Sequence, residues 1–323
     1  MDMRPLFSGG PMVSAIGISL SAPPTASLPL HQLAILAPQT QDPAANGESL
    51  TIAAIERAVA LGVNLIDSDW ITANGHAQEL LGRALARLDR QRLVITSKAG
   101  PRLTFKGTLT LDNSRANLIN QCHDSLFRLK LSHIDLYQVH WPDGTAPQQT
   151  ARGLEDLVSA GLTRFSGVCN YTAQQAAALA AHTHLVCAQG PLTLLNRTAL
   201  TGLLPWCREN GMAFLAADPL HSGLLAGRFT AEQEFTDEDR DEWFTQPRFG
   251  VAVKIAAALA GWATARGMTA SQAAVAWALA QPGVTSVLVP ARSPDEVTEL
   301  VGATRHPLSP ADVAELEQLA QAA

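Results

Sequence analysis

Residues 93–140 read LVITSKAGPRLTFKGTLTLDNSRANLINQCHDSLFRLKLSHIDLYQVH. Two short apolar runs, Leu93–Ala99 and Ile134–His140, flank the amphipathic stretch Ser114–Leu129, which opens on a serine suited to cap a helix. Runs of Val, Ile and Leu that hardly alternate with polar residues belong to strands buried on both faces. Strand, helix, strand in that order is one unit of a parallel sheet.

The same unit recurs on either side. Further strand candidates are Val13–Ser19, Val63–Ser68, Phe165–Asn170, Leu185–Gly190, Ala213–Asp218 and Ser286–Ala291. Helix-like stretches lie between them: Ser49–Leu61, Ala77–Leu88, Gln149–Ala160, Thr198–Asn210 and Thr269–Ala280, with Ser49 and Thr269 read as caps. Eight strand–helix units predict an α/β fold, a closed (β/α)8 TIM barrel. Gly9-Gly10-Pro11 reads as the turn of a short N-terminal β-hairpin at its floor. An open doubly wound sheet is the alternative, weakened because no G-x-G-x-x-G follows a strand. A length of 323 residues suits one barrel, and no shift of composition marks a boundary, so residues 1–323 read as one domain.

Composition narrows the function. Twenty-three basic against twenty-nine acidic residues give a net charge of −6, which argues against a nucleic-acid partner. No apolar run is long enough to span a membrane, and Pro23-Pro24 interrupts any signal-like start. Cys122, Cys169, Cys187 and Cys207 show no metal or redox spacing; no metal is expected, and the thiols read as reduced, in a cytoplasmic protein. The segment Thr230–Phe249 holds seven acidic residues between Glu232 and Glu242. It reads either as a solvated loop or as a lid over the barrel mouth.

In barrels of this kind the chemistry gathers at the C-terminal strand ends. Those positions are Asp67, Lys98, His140, Cys169-Asn170, Gln189, Asp218 and Arg292. Any one polar strand-end residue is ordinarily a satisfied structural group, but the series points to one shared pocket for a small-molecule substrate.

The sequence resembles the aldo-keto reductase superfamily over nearly its whole length. The motifs are Asn64-Leu-Ile-Asp67-Ser68 running to Glu79-Leu-Leu-Gly82, Ile95-Thr-Ser-Lys98, and Ile134-Asp-Leu-Tyr-Gln-Val-His140-Trp-Pro-Asp143. Gly167-Val-Cys-Asn170, Pro219-Leu-His-Ser-Gly-Leu-Leu-Ala-Gly227, and Ala274–Ala280 with Ala291-Arg-Ser-Pro294 complete the set. The resemblance implies a barrel that binds NADPH or NADH across its mouth. It implies that Asp67 and Lys98 form a pair and that His140 orients the substrate. It places Cys169, Asn170 and Gln189 at the nicotinamide carboxamide. Asp218, Leu220, Gly223, Leu224 and Gly227 fall along the pyrophosphate, and Arg292, Ser293 and Glu296 at the adenosine end.

The chain departs from the family at the proton donor. The family's tyrosine position, five after Asp67, holds Thr72, followed by Ala73. The chain has two tyrosines, Tyr137 within a strand and Tyr171 after Cys169-Asn170, and neither is a shifted copy. Asp69 and Trp70 stand where the family has small or other residues, and the family's nicotinamide-stacking aromatic falls on Ala217. A positioned acid contributes about 10²–10⁴-fold to a carbonyl reduction, and a threonine hydroxyl is too weak an acid to replace a phenol. An imine protonated before hydride arrives needs no such donor and favours negative surroundings. Asp69 and Asp218 would supply these, with Trp70 and Trp141 lining the substrate; the plainer alternatives are a loop cap for Asp69 and a strand-end residue bonding a neighbouring loop for Asp218. The leading expectation is therefore NAD(P)H-dependent reduction of a C=N bond in a small, cationic metabolite. Carbonyl reduction with His140, or a water held by Thr72, as donor is the second reading. A non-catalytic nucleotide-binding regulator is the third, and a Schiff-base lyase using Lys98 a remote fourth.

Overall fold

The computed structural model describes residues 1–21, 46–104, 108–230, 232–233 and 242–322. An antiparallel hairpin, β1 (Met3–Pro5) and β2 (Met12–Ser14), comes first. There follow β3 (Ile16–Ser19), α1 (Asn46–Ala60), β4 (Leu65–Asp67), α2 (His76–Leu85) and β5 (Val94–Ala99). A second small hairpin, β6 (Pro101–Leu103) and β7 (Leu109–Leu111), precedes α3 (Arg115–Leu129) and β8 (Ile134–Val139). Then come α4 (Pro147–Ser159), β9 (Thr163–Cys169), α5 (Ala173–Ala180), β10 (Leu185–Pro191), α6 (Leu203–Glu209) and β11 (Ala213–Ala217). The chain ends with α7 (Arg248–Thr264), α8 (Ala270–Ala280), β12 (Val284–Pro290), α9 (Pro294–Val301) and α10 (Pro310–Ala322).

Strands β3, β4, β5, β8, β9, β10, β11 and β12 pair in parallel in that order and close into a barrel, β12 meeting β3. This is the (β/α)8 fold that the eight apolar runs predict. One run divides: the stretch 13–19 splits at Ala15, with Met12–Ser14 in the hairpin and Ile16–Ser19 in the barrel. The hairpin closes the floor. Leu6 and Val13 are fully buried and pack with Leu65, Val94, Leu136 and Leu288 from inside the barrel. The pocket is therefore left to the opposite, C-terminal end of the strands.

The caps follow local chemistry. Ser114 accepts from Asn117 N and starts α3, as its position predicts. Thr269 and Gln272 form a reciprocal capping box at α8, and Thr172 with Gln175 does the same at α5. Ser49 is not a cap: α1 already begins at Asn46. The stretch 198–210 breaks at Gly202 into a short 3-10 turn and α6. Helix α7 contributes Phe249, Ile255, Ala256 and Leu259 to the core. No helix among the described residues is long and apolar enough to cross a membrane.

Gly82 sits where α2 meets the end of α3. A Cβ there would stand 2.6 Å from the Arg128 carbonyl oxygen and 3.0 Å from that of Leu129. These obstacles are backbone and cannot rotate aside. Gly82→Ala should therefore lower stability by about 1–3 kcal/mol through overpacking, although alanine is the better helix former by about 1 kcal/mol. Urea unfolding of the variant measures the sign.

Candidate functional site

The Asp67 carboxylate is the hub of the barrel mouth. Its Oδ1 accepts from Lys98 Nζ at 2.6 Å and from Thr96 Oγ1 at 2.5 Å. Its Oδ2 accepts from Ser19 Oγ at 2.9 Å, Ser21 Oγ at 3.2 Å and Gln189 Nε2 at 3.3 Å. Asp67 and Lys98 are 0% and 1% exposed. Burial by itself pulls the pKa of Lys98 down. The adjacent Asp67 and the nearby Asp69 outweigh that, and hold its pKa above the ordinary lysine value. The pair that the sequence predicts is thus a charged, water-free contact.

His140 follows β8, and its imidazole stacks on Trp141 with ring centroids 3.6 Å apart. Burial, and then the charge of Lys98, push its pKa well below the usual value. Its Nδ1 is buried and has no hydrogen-bond partner among the described residues. The ring is a neutral imidazole at physiological pH, so it is not an imidazolium acid.

The nicotinamide candidates divide. Asn170 sits at φ +59° with its Nδ2 donating to the His140 carbonyl at 3.2 Å, and its Oδ1 is buried without a partner among the described residues. Gln189 is tied from both ends: its Oε1 accepts from Gln138 Nε2 at 2.9 Å while its Nε2 reaches Asp67. Cys169 is buried, and burial pushes its thiol far up, which makes it a small apolar wall residue and not a nucleophile.

Asp69, Thr72 and Trp70 share the loop after β4. Asp69 Oδ1 accepts from Thr72 N at 2.8 Å, so its first role is to shape the turn. Both residues are buried, and the loop continues through left-handed Ala73 and Asn74 at φ +50° and +53°. Trp70 packs on Leu109 with Ile71 and Trp141, and its Nε1 is buried without a partner among the described residues. Tyr137 donates to the Leu118 carbonyl on the helix side of the wall, and Tyr171 packs against the core. Neither bonds to Lys98, Asp67 or His140.

Asp218, at φ +50°, accepts from Ser222 N with both oxygens at 2.8 and 3.0 Å. These bonds lie within its own loop. Leu220 and Leu224 are buried beneath that loop, and Gly223 and Gly227 take φ +93° and +68°. Beyond it, Ser293 caps α9 by accepting from Glu296 N. Glu296 lies between two arginines: Arg292 Nη2 at 2.5 Å and Arg228 Nη2 at 2.9 Å. Burial would raise its pKa, but Arg292 and Arg228 hold it below the carboxylate range. Of the segment 230–249, most of the acidic middle lies outside the described residues. Its described end brings Trp243 to 6.0 Å from His221 and packs Phe244 on Leu224 and Phe249. No group of three metal-ligating side chains occurs among the described residues.

Four members of this array escape a reading of strand ends: Ser19, Ser21, Gln138 and Arg228. Ser19 and Ser21 are two apart at the end of a strand, so both side chains lie on one face. That spacing is the signal that would have found them. Arg228 carries no such signal.

The sequence matches the aldo/keto reductase family over residues 38–321. It is 32% identical over 260 residues to an aldo-keto reductase of Bacillus subtilis, covering 78% of each chain. It is 29% identical over 300 residues to the NADH-specific methylglyoxal reductase of Escherichia coli, covering 87% of this chain and 91% of that one. The fold superposes on a glycerol dehydrogenase from Gluconobacter oxydans with a TM-score of 0.84 at 26% identity, over 98% of this chain and 94% of that one. An aldo-keto reductase from Klebsiella pneumoniae, solved with NADPH, gives 0.74 at 26% identity over 99% and 95%. The chain belongs to the aldo/keto reductase family and is a reductase of that type.

Because the pair is buried, removing one partner strands the other. Asp67→Asn should cost about 3–5 kcal/mol in urea unfolding, and Asp67→Asn with Lys98→Met should recover at least half of that. A loss below about 1 kcal/mol in the single variant would show that the pair does not hold the strand ends.

Proposed function

We propose that this barrel reduces the C=N bond of a small imine or iminium ion, with NADPH or NADH as reductant. The observation that carries the reading is the balance of buried charge. Two carboxyl groups, Asp67 and Asp69, stand with one ammonium, Lys98, beside a neutral His140, and no phenol belongs to the group.

The residues at the mouth fit a nicotinamide cofactor. The orphaned Asn170 Oδ1 is a buried acceptor for a carboxamide N–H, and the loop 218–227 with Arg292 and Ser293 offers donors to the phosphates and the adenosine. Bound, the cofactor supplies the hydride. The chain supplies the rest. Asp67 and Asp69 favour a cationic electrophile over a neutral one. Trp70 and Trp141 pack together beside the site, and indole rings attract cations. With the proton of the neutral ring on Nε2, since Nδ1 meets no partner among the described residues, His140 would donate an N–H to the substrate. As hydride reaches the carbon, positive charge on nitrogen disappears and no oxyanion forms, so the missing phenol costs little. Carbonyl reduction remains the second reading, favoured by the relative named as a methylglyoxal reductase. It requires a donor other than His140.

Cofactor oxidation with 3,4-dihydroisoquinoline, its N-methyl cation and benzaldehyde separates the two. The imines should exceed the aldehyde in kcat/KM by at least about 10²-fold, the low end of what a positioned acid contributes. The reverse order sinks the imine reading. The N-methyl cation takes up no proton, and His140 stays neutral. Its reduction should therefore be flat between about pH 6 and pH 8, where an imidazolium acid of ordinary pKa would show a limb. At the far end, Glu296 occupies both arginines. Glu296→Gln frees them and should raise affinity for NADPH relative to NADH by about tenfold, the order of one charge-assisted contact. Fluorescence titration with the two cofactors reads the ratio, and an unchanged ratio removes Glu296 from the adenosine end.

A further inference from the structure

The ammonium of Lys98 has three protons, and three acceptors hold them. These are Asp67 Oδ1 at 2.6 Å, Ser21 Oγ at 3.1 Å and the Ser68 carbonyl oxygen at 3.4 Å. Lys98 itself is 1% exposed, and Asp67 and Ser68 are fully buried. Lys98 therefore has no proton free to offer a bound molecule directly. Of its three acceptors only Ser21 is partly exposed, and only Ser21 is also a donor. Thr72, the hydroxyl at the expected donor position, is not one of the three.

We propose that Ser21 is a catalytic residue, the relay that carries a proton from Lys98 to the substrate nitrogen. This rests on the reductase reading of the site. The hydroxyl is built for the transfer. It accepts from Lys98 and donates to Asp67 Oδ2 across a long 3.2 Å bond. When it turns toward a substrate, Oδ2 keeps Ser19 Oγ at 2.9 Å and Gln189 Nε2 at 3.3 Å, so Asp67 is not left bare. The Ser21 backbone N–H donates to Ser19 Oγ at 3.1 Å and fixes where the relay stands.

The step balances. The hydride pair forms the new C–H bond, and the π pair of C=N takes up the Ser21 hydroxyl proton as a new N–H bond. A Lys98 proton moves to Ser21 Oγ in the same event. The imine is reduced to an amine, the reduced nicotinamide is oxidised, and Lys98 is left as a neutral amine. A proton from solvent returns through Ser21. An iminium that enters already protonated does not need the relay; a neutral imine, or a carbonyl, does.

The test uses Ser21→Ala and Ser21→Thr with bound cofactor, each first shown by thermal melting to fold. kcat/KM is read against pH on 3,4-dihydroisoquinoline and on its N-methyl cation. Wild type should keep activity above the pKa of the free imine. Ser21→Ala should fall tenfold per pH unit there, because only the protonated fraction still reacts. Its loss on the neutral imine should exceed any loss on the N-methyl cation by about 10²-fold. Ser21→Thr, which keeps the hydroxyl, should recover most of the rate. Equal losses on both acceptors, or a threonine variant as poor as the alanine one, would make Ser21 a support of the ion pair and overturn the relay. If only benzaldehyde is reduced, the imine reading has failed but the relay is still tested. Ser21→Ala should then lose about 10²-fold on the aldehyde with threonine restoring it, and full retention overturns the proposal.

Discussion

A carboxylate and an ammonium that meet with almost no water around them set the terms for the rest of the molecule. Taking each charge out of water costs several kcal/mol, and the mutual attraction offsets that only when the remaining lone pairs and protons are also satisfied. Asp67, at the end of β4, receives five donors from three other strands or their ends: Ser19 and Ser21 at β3, Thr96 and Lys98 on β5, and Gln189 on β10. One side chain thus ties half of the barrel's strand ends together from inside. The closed floor, where Leu6 and Val13 fill the interior, keeps water from reaching the pair from below.

The same economy of donors explains why the neighbours look as they do. Lys98 has all three of its N–H bonds engaged, and burial, together with the charge of Lys98, leaves His140 neutral. The two aspartates read from sequence as substrate carboxylates first serve the backbone. Asp69 turns the loop that carries Thr72, and Asp218 holds Ser222 in a run of left-handed residues. Asp69 also acts on Lys98, and this brings it into the charge balance of the proposed reaction.

The barrel was legible because a parallel strand buried on both faces leaves an almost unbroken apolar run, and eight such runs stand in order. Asp67, Lys98 and His140 were legible because they end those runs. Residues that complete the site were not. Ser19 and Ser21 share a spacing that puts them on one face, but their partner is set only when the chain closes and brings β3 beside β4. Gln138 is a polar residue inside an apolar strand, and nothing local says that it faces Gln189 across the interior. Arg228 lies 68 positions from Glu296, and only the return of the loop after β11 over α9 joins them.

That last contact bears on the choice of cofactor. Glu296 binds two guanidinium groups at once and stays ionised because of them. On the proposed placement, a 2′-phosphate would have to draw an arginine from a carboxylate that already satisfies it, whereas a ribose hydroxyl could donate to the same carboxylate and leave both ion pairs in place. The exchange of one charge-assisted partner for another is close to balanced. The two cofactors would then differ little in affinity, and the arrangement holds Arg228, and with it the loop that begins at Asp218, against α9 in either case.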